Sequence, residues 1–110
     1  MEDIESLTIE YQKSQNRLQS LALQKAQLSS EKEEYKKALE EVEKAQGKVY
    51  SSKGNVIIET TKEEAVKQIK EEQDSIDLKL SIIDKQYAGA VKKDQELRSR
   101  IEGSIKQQKQ

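Results

Sequence analysis

Two runs of apolar residues at alternating steps of three and four constrain this chain more than any other feature. The first run is Ile4, Leu7, Tyr11, Leu18, Leu21, Leu28, Tyr35, Leu39 and Val42, with Ser14, Lys25 and Lys32 completing the steps. The second is Val66, Ile69, Ile76, Leu80, Ile83, Tyr87, Ala90, Leu97 and Ile101, completed by Gln73, Asp94 and Ser104. Nine of twelve positions are apolar in each. A 3–4 alternation sustained over five heptads specifies a coiled-coil seam rather than a helix lying on a globular core. The chain has no Pro to interrupt either run.

Composition agrees with a narrow seam. Of 110 residues, 37% are charged and 33% hydrophobic, with no Phe, no Trp and four Tyr. Too few bulky side chains remain to fill a globular core. Folding the chain between the two runs sets the seams antiparallel. Val42 then falls near Val66, Leu39 near Ile69, Leu28 near Leu80, Leu18 near Ala90 and Leu7 near Ile101. Each arm of about 40 residues is roughly 60 Å long. Ser14 faces the region of Asp94, a polar pairing that either sets register or is tolerated near solvent. Four charge pairs stand in the favourable four-residue order, namely Glu33–Lys37, Glu40–Lys44, Glu63–Lys67 and Glu96–Arg100. Glu2 and Asp3 suit the positive end of the first helix, and Lys106 and Lys109 the negative end of the second.

Between the runs lies "KVYSSKGNVIIETTKEE", residues 48–64. Gly47 suits a left-handed helix terminus. Thr61 followed by Glu64 fits a capping box that opens the second helix. Residues 48–60 carry Val49, Tyr50, Val56, Ile57 and Ile58 around Gly54-Asn55, the pattern of a β-hairpin with a tight turn. A lone hairpin is marginal in water and leaves two unpaired edges. A stalk one seam wide cannot cover its apolar residues, so the hairpin reads as an assembly device. The alternative is a decorated loop.

The expected fold is therefore mostly α: a long antiparallel two-helix coiled coil joined by a central β-hairpin. It forms one domain over 1–110, with helix 1 at about 2–46, the hairpin at about 48–60 and helix 2 at about 62–107. This arrangement, with "KVYSSKGNVIIETTKEEAVKQI" at the junction, resembles the β-type subunit of prefoldin, most closely archaeal members. The resemblance implies an ATP-independent holdase built from two α-type and four β-type subunits. Their hairpins join into an intersubunit β-barrel, and Val49, Tyr50, Val56, Ile57 and Ile58 become the assembly residues. Unfolded clients are held at the coiled-coil tips and delivered to a chaperonin.

A holdase needs accessible apolar surface. Ile9 lies outward, two residues past Leu7, and Ile105 flanks the seam near the other end. Together with the seam residues Ile4, Leu7, Leu97 and Ile101, which fraying helix ends can open, they form the expected client-binding cluster. Leu23, Leu78 and Ile82 also point outward, mid-arm. Gly89 weakens the second helix by about 1 kcal/mol relative to Ala.

Other classes are poorly supported. No His or Cys exists to form a nucleophile–base pair or a soft metal site, and no glycine-rich phosphate loop is present. No enzyme activity and no cofactor are expected. The net charge of −1 gives no field for nucleic acid, and no apolar run spans a bilayer. "MEDIES" lacks the apolar core of a secretory signal, so the cytoplasm is expected. The rival reading is a structural or adaptor coiled coil that binds one fixed helical partner.

Overall fold

The computed structural model describes residues 3–108, in the order α1 (Ile4–Lys44), β1 (Val49–Lys53), β2 (Val56–Thr60) and α2 (Lys62–Gln108). Glu2 and Lys109, assigned above to helix ends, lie outside the described residues. Two units pack internally. The terminal unit pairs Met1–Ala26 with Ser81–Gln110, and the hairpin unit spans Gln27–Leu80.

In the terminal unit the seam residues Leu7, Leu21, Ile83 and Leu97 are buried, with Ser14, Asp94 and Ser104 buried among them. In the hairpin unit Ile76 is buried, and so is Ala65, which the seam count beginning at Val66 passes over. Cross-helix pairs fix the antiparallel register within each unit. Tyr11 meets Arg98, Ser14 meets Asp94 and Lys25 meets Asp84 in the terminal unit; Lys32 meets Asp77 in the hairpin unit.

Lys25 and Lys32 occupy seam positions yet stay about half exposed. Each sends its ammonium out to a flanking aspartate of α2, at 2.8 Å to Asp84 and 2.9 Å to Asp77. Their long methylene stems cover the seam while the charged heads remain in water. Hydrogen bonding and attraction to those aspartates raise both lysine pKa values above the usual range. A raised lysine pKa stabilises the fold below the unfolded value and loses that effect as pH climbs through the folded one. On the lysine side, these two pairs therefore hold until the pH climbs above the usual lysine range. By contrast, Glu33–Lys37, Glu40–Lys44 and Glu63–Lys67 do not close to ion-pair distance, so the expected surface pairs give way to pairs across the seam.

Helix ends depart from expectation in a second way. Gly47 does not adopt a left-handed conformation; among the described residues only Gly54 has positive φ, at 61°. α1 ends three residues before Gly47, tightening so that Ala45 N–H donates to Val42 O at 3.1 Å. Lys62 Nζ then donates to the Glu43 carbonyl at 2.6 Å, so a side chain from the start of α2 satisfies an orphan carbonyl of α1. Asp3 caps the other end, accepting from Glu5 N–H at 3.1 Å and Ser6 Oγ at 3.0 Å. Glu64 N–H donates to Thr61 Oγ1 at 3.1 Å, the N-cap half of the expected box.

The hairpin is antiparallel, with Val49 opposite Thr60, Tyr50 opposite Glu59, Ser51 opposite Ile58, Ser52 opposite Ile57 and Lys53 opposite Val56. Gly54-Asn55 makes a two-residue turn with positive φ only at its first position, the type II′ pattern that matches strand twist. A Cβ on Gly54 meets nothing within 4 Å, so backbone conformation alone demands glycine there. Gly54→Ala is therefore expected to destabilise the hairpin by about 1–2 kcal/mol in thermal melts. D-alanine introduced at 54 by chemical synthesis should restore the wild-type midpoint, and an unchanged midpoint for L-alanine would contradict the turn assignment.

Candidate assembly and client-binding surfaces

Strand alternation sorts the hairpin side chains onto two faces. Val49, Ser51, Lys53, Val56, Ile58 and Thr60 share one, and Tyr50, Ser52, Ile57 and Glu59 share the other. Ser51 Oγ donates to Gln68 Oε1 of α2 at 3.3 Å, which ties β1 to the start of that helix. Ser51 and Ser52 line a crevice there with Tyr35, Gln68 and Ile69. Val49 is partly buried. Tyr50, Val56, Ile57 and Ile58 are exposed, with Ile57 at 72%. The sheet has two strands, so each strand keeps one edge of unpaired backbone groups. A two-stranded sheet with exposed aliphatics and two open edges is unstable alone and complementary to other strands.

The client-binding candidates all fall in the terminal unit but differ in access. Ile9 at 58% and Ile105 at 41% are open to solvent. Ile4 and Ile101 are half-buried, whereas Leu7 and Leu97 are sealed in the seam at 3% and 1%. The outward Leu23, Leu78 and Ile82 are exposed as expected.

The terminal unit also holds a polar cluster around one buried carboxylate. Asp94 is 6% exposed. Its Oδ1 accepts from Ser14 Oγ at 3.4 Å and from Gln15 Nε2, and Arg98 Nη2 lies 3.5 Å from its Oδ2. Arg98 also donates to Tyr11 OH at 3.1 Å and lies over that ring, 5.9 Å from its centroid. The Tyr11 hydroxyl first, and Asp94 second, push the guanidinium pKa further up. Sequence spacing pointed to Ser14 and Asp94. Gln15, Tyr11 and Arg98 were missed because their roles depend on register across two helices. Among the described residues no group of His, Cys, Asp or Glu is placed to hold a metal ion, and no helix is long and apolar enough to cross a membrane.

The chain thus consists of two long helices, α1 and α2, joined by an antiparallel two-stranded hairpin. Residues 5–108 match the model of the prefoldin subunit family, and the chain belongs to that family. It is similar to prefoldin subunit beta of Methanosarcina acetivorans, 31% identical over 104 residues, which are 93% of this chain and 89% of that protein. It is also similar to prefoldin subunit beta of Pyrococcus horikoshii, 29% identical over 94 residues, covering 84% and 80% respectively. The crystal structure of the prefoldin beta subunit from Thermococcus strain KS-1 superposes with a TM-score of 0.84 at 29% identity, over 92% of this chain and 90% of that one. Family membership makes it a chaperone subunit.

Proposed function

We propose that this chain is a β-type subunit of a cytoplasmic, ATP-independent holdase, with residues 1–110 working as one prefoldin-like domain. Four copies and two α-type subunits join their hairpins into a β-barrel. Non-native polypeptides are held at the helix ends and passed to a chaperonin, without enzymatic turnover. The observation that carries this reading is the hairpin: Tyr50, Val56, Ile57 and Ile58 are exposed on a two-stranded sheet with open edges. Pairing with other hairpins would bury the aliphatics and satisfy the edges together. The native mass of the complex drawn from its own cells tests it. Six chains, two of them a different helical subunit, are expected; a dimer or a pair with one unrelated protein would favour the adaptor reading.

Client contact at the helix ends rests on Ile9 and Ile105 as standing surface, with Ile4, Leu7, Leu97 and Ile101 reached when the coil opens. Two features of the terminal unit favour opening. Gly103 sits inside α2, and Ser104 takes a seam position that an apolar residue would hold more firmly. Ile4→Ser with Leu7→Ser should cut protection of an aggregating client severalfold while the mass of the complex stays the same. Ile9→Ser with Ile105→Ser changes only exposed positions, so it separates lost contact from lost packing. Full protection by both double variants would remove the helix ends from the client site.

A further inference from the structure

Two adjoining depressions on the terminal unit share Gly89 and Lys93 and form a groove that runs beside the seam, with the seam residues Ser14 and Ala90 in its lining. Its floor is made of small residues, Ser14, Gly89 and Ala90. Lys13 and Arg17, one turn apart on α1, and Lys93 of α2 line the first depression, and Lys92 joins Lys93 in the second, which α2 alone forms. Lys13, Arg17, Lys92 and Lys93 make no ion pair with any described residue, whereas Lys25, Lys32 and Arg98 do. Glu10 and Glu96 are the acidic residues of the lining.

The charge of the chain is divided in the same sense. The terminal unit carries ten Lys and Arg against eight Asp and Glu, while the hairpin unit carries ten against thirteen. A chain whose net charge is −1 thus presents a basic groove on its terminal half. Gly89 is the residue that opens it. Glycine inside a helix costs about 1 kcal/mol relative to Ala, and a Cβ at 89 would meet nothing within 4 Å. Packing within the chain therefore gives no reason for glycine, while its missing side chain keeps the floor clear between two cationic rims.

We propose that this groove docks acidic, extended polypeptide segments that carry an apolar side chain for its floor. The inference rests on the chaperone reading and names a class of client segment that the subunit selects. Cationic side chains on both rims can meet a carboxylate-bearing strand from either side, which favours capture and on-rate. Polypeptide fits better than nucleic acid because no aromatic ring lines the groove to stack a base.

The test uses the full chain and a fluorescein-labelled 15-residue peptide of Glu, Asp, Leu and Ser, with a twin bearing Lys in place of the acids. Fluorescence anisotropy should show the acidic peptide binding at least about tenfold more tightly, with the difference shrinking as salt rises. Lys13→Glu with Lys93→Glu should erase that preference. Gly89→Leu should fill the floor and lose the acidic peptide while keeping wild-type helix content by circular dichroism, since leucine favours helix more than glycine does. Equal affinity for the two peptides, or undiminished binding by Gly89→Leu, overturns the proposal. So does displacement of the peptide by a single-stranded oligonucleotide of equal charge at lower concentration, which would mark a polyanion site. Protection of a basic aggregating client is measured in parallel. Its absence in the wild type counts against the chaperone reading, and its persistence in Lys13→Glu/Lys93→Glu separates the groove from general client holding.

Discussion

Ile57→Asp should dissolve the six-chain assembly while leaving each chain folded. Ile57 is 72% exposed, so a carboxylate there meets water and costs the isolated chain little. In an assembled sheet the same position loses an aliphatic burial of about 1.5–3 kcal/mol. It also gains a charge whose desolvation costs several kcal/mol more, and the loss recurs in every copy of the subunit. Native mass spectrometry of the complex reconstituted with its helical partner should show six chains for the wild type and only smaller species for Ile57→Asp. Far-ultraviolet circular dichroism should report equal helix content for both. Leu78→Asp places the same charge on a comparably exposed leucine of α2, outside the hairpin, and should leave the mass unchanged. Intact six-chain complexes with Ile57→Asp would show that the Tyr50–Ile57 face takes no part in assembly.

The seam and the hairpin were legible because each is a local pattern. A 3–4 repeat identifies buried positions without knowledge of the partner helix, and Leu7, Leu21, Ile76, Ile83 and Leu97 are all buried where it puts them. The turn was legible because a glycine followed by asparagine between two β-branched or aromatic runs is a local signal for a two-residue hairpin turn. Misses came where the answer lies on another element. Gly47 satisfies a local rule for helix termination, but Lys62, eighteen residues beyond the end of α1, caps that end instead. Lys25 and Lys32 looked like gaps in the seam because their partners, Asp84 and Asp77, belong to the opposite helix. The three surface pairs that did not close follow standard helix spacing, yet such pairs hold only a few tenths of a kcal/mol and compete with solvation. The groove was invisible for the same reason as the lysine partners: Gly89 and Ser14 meet only after register is known.

Asp94→Leu should raise the melting temperature of the chain and loosen its register. The carboxylate is buried on a seam and held by Ser14, Gln15 and Arg98. Replacing a buried charged network with a well-packed apolar residue is often stabilising, by about 1–4 kcal/mol. The partners left behind suffer little. Gln15 and Arg98 have access to water, Arg98 keeps Tyr11, and the Ser14 hydroxyl can turn to the carbonyl four residues earlier. What the carboxylate supplies is discrimination. In the native register Asp94 meets Ser14, but a slip of one heptad sets it against Leu7 or Leu21. There a buried charge would lack partners, and that register is excluded at a cost of several kcal/mol. Leucine at 94 tolerates all three placements. The chain has no cysteine, so Lys25→Cys with Asp84→Cys reports the native register and Lys25→Cys with Asp77→Cys a slipped one. A short bismaleimide cross-linker should join only the first pair when Asp94 is present, and some of both in the Asp94→Leu background. A lower melting temperature for Asp94→Leu would mean that the network stabilises the coil outright. Cross-linking confined to the native pair would mean that register is set elsewhere along the seam.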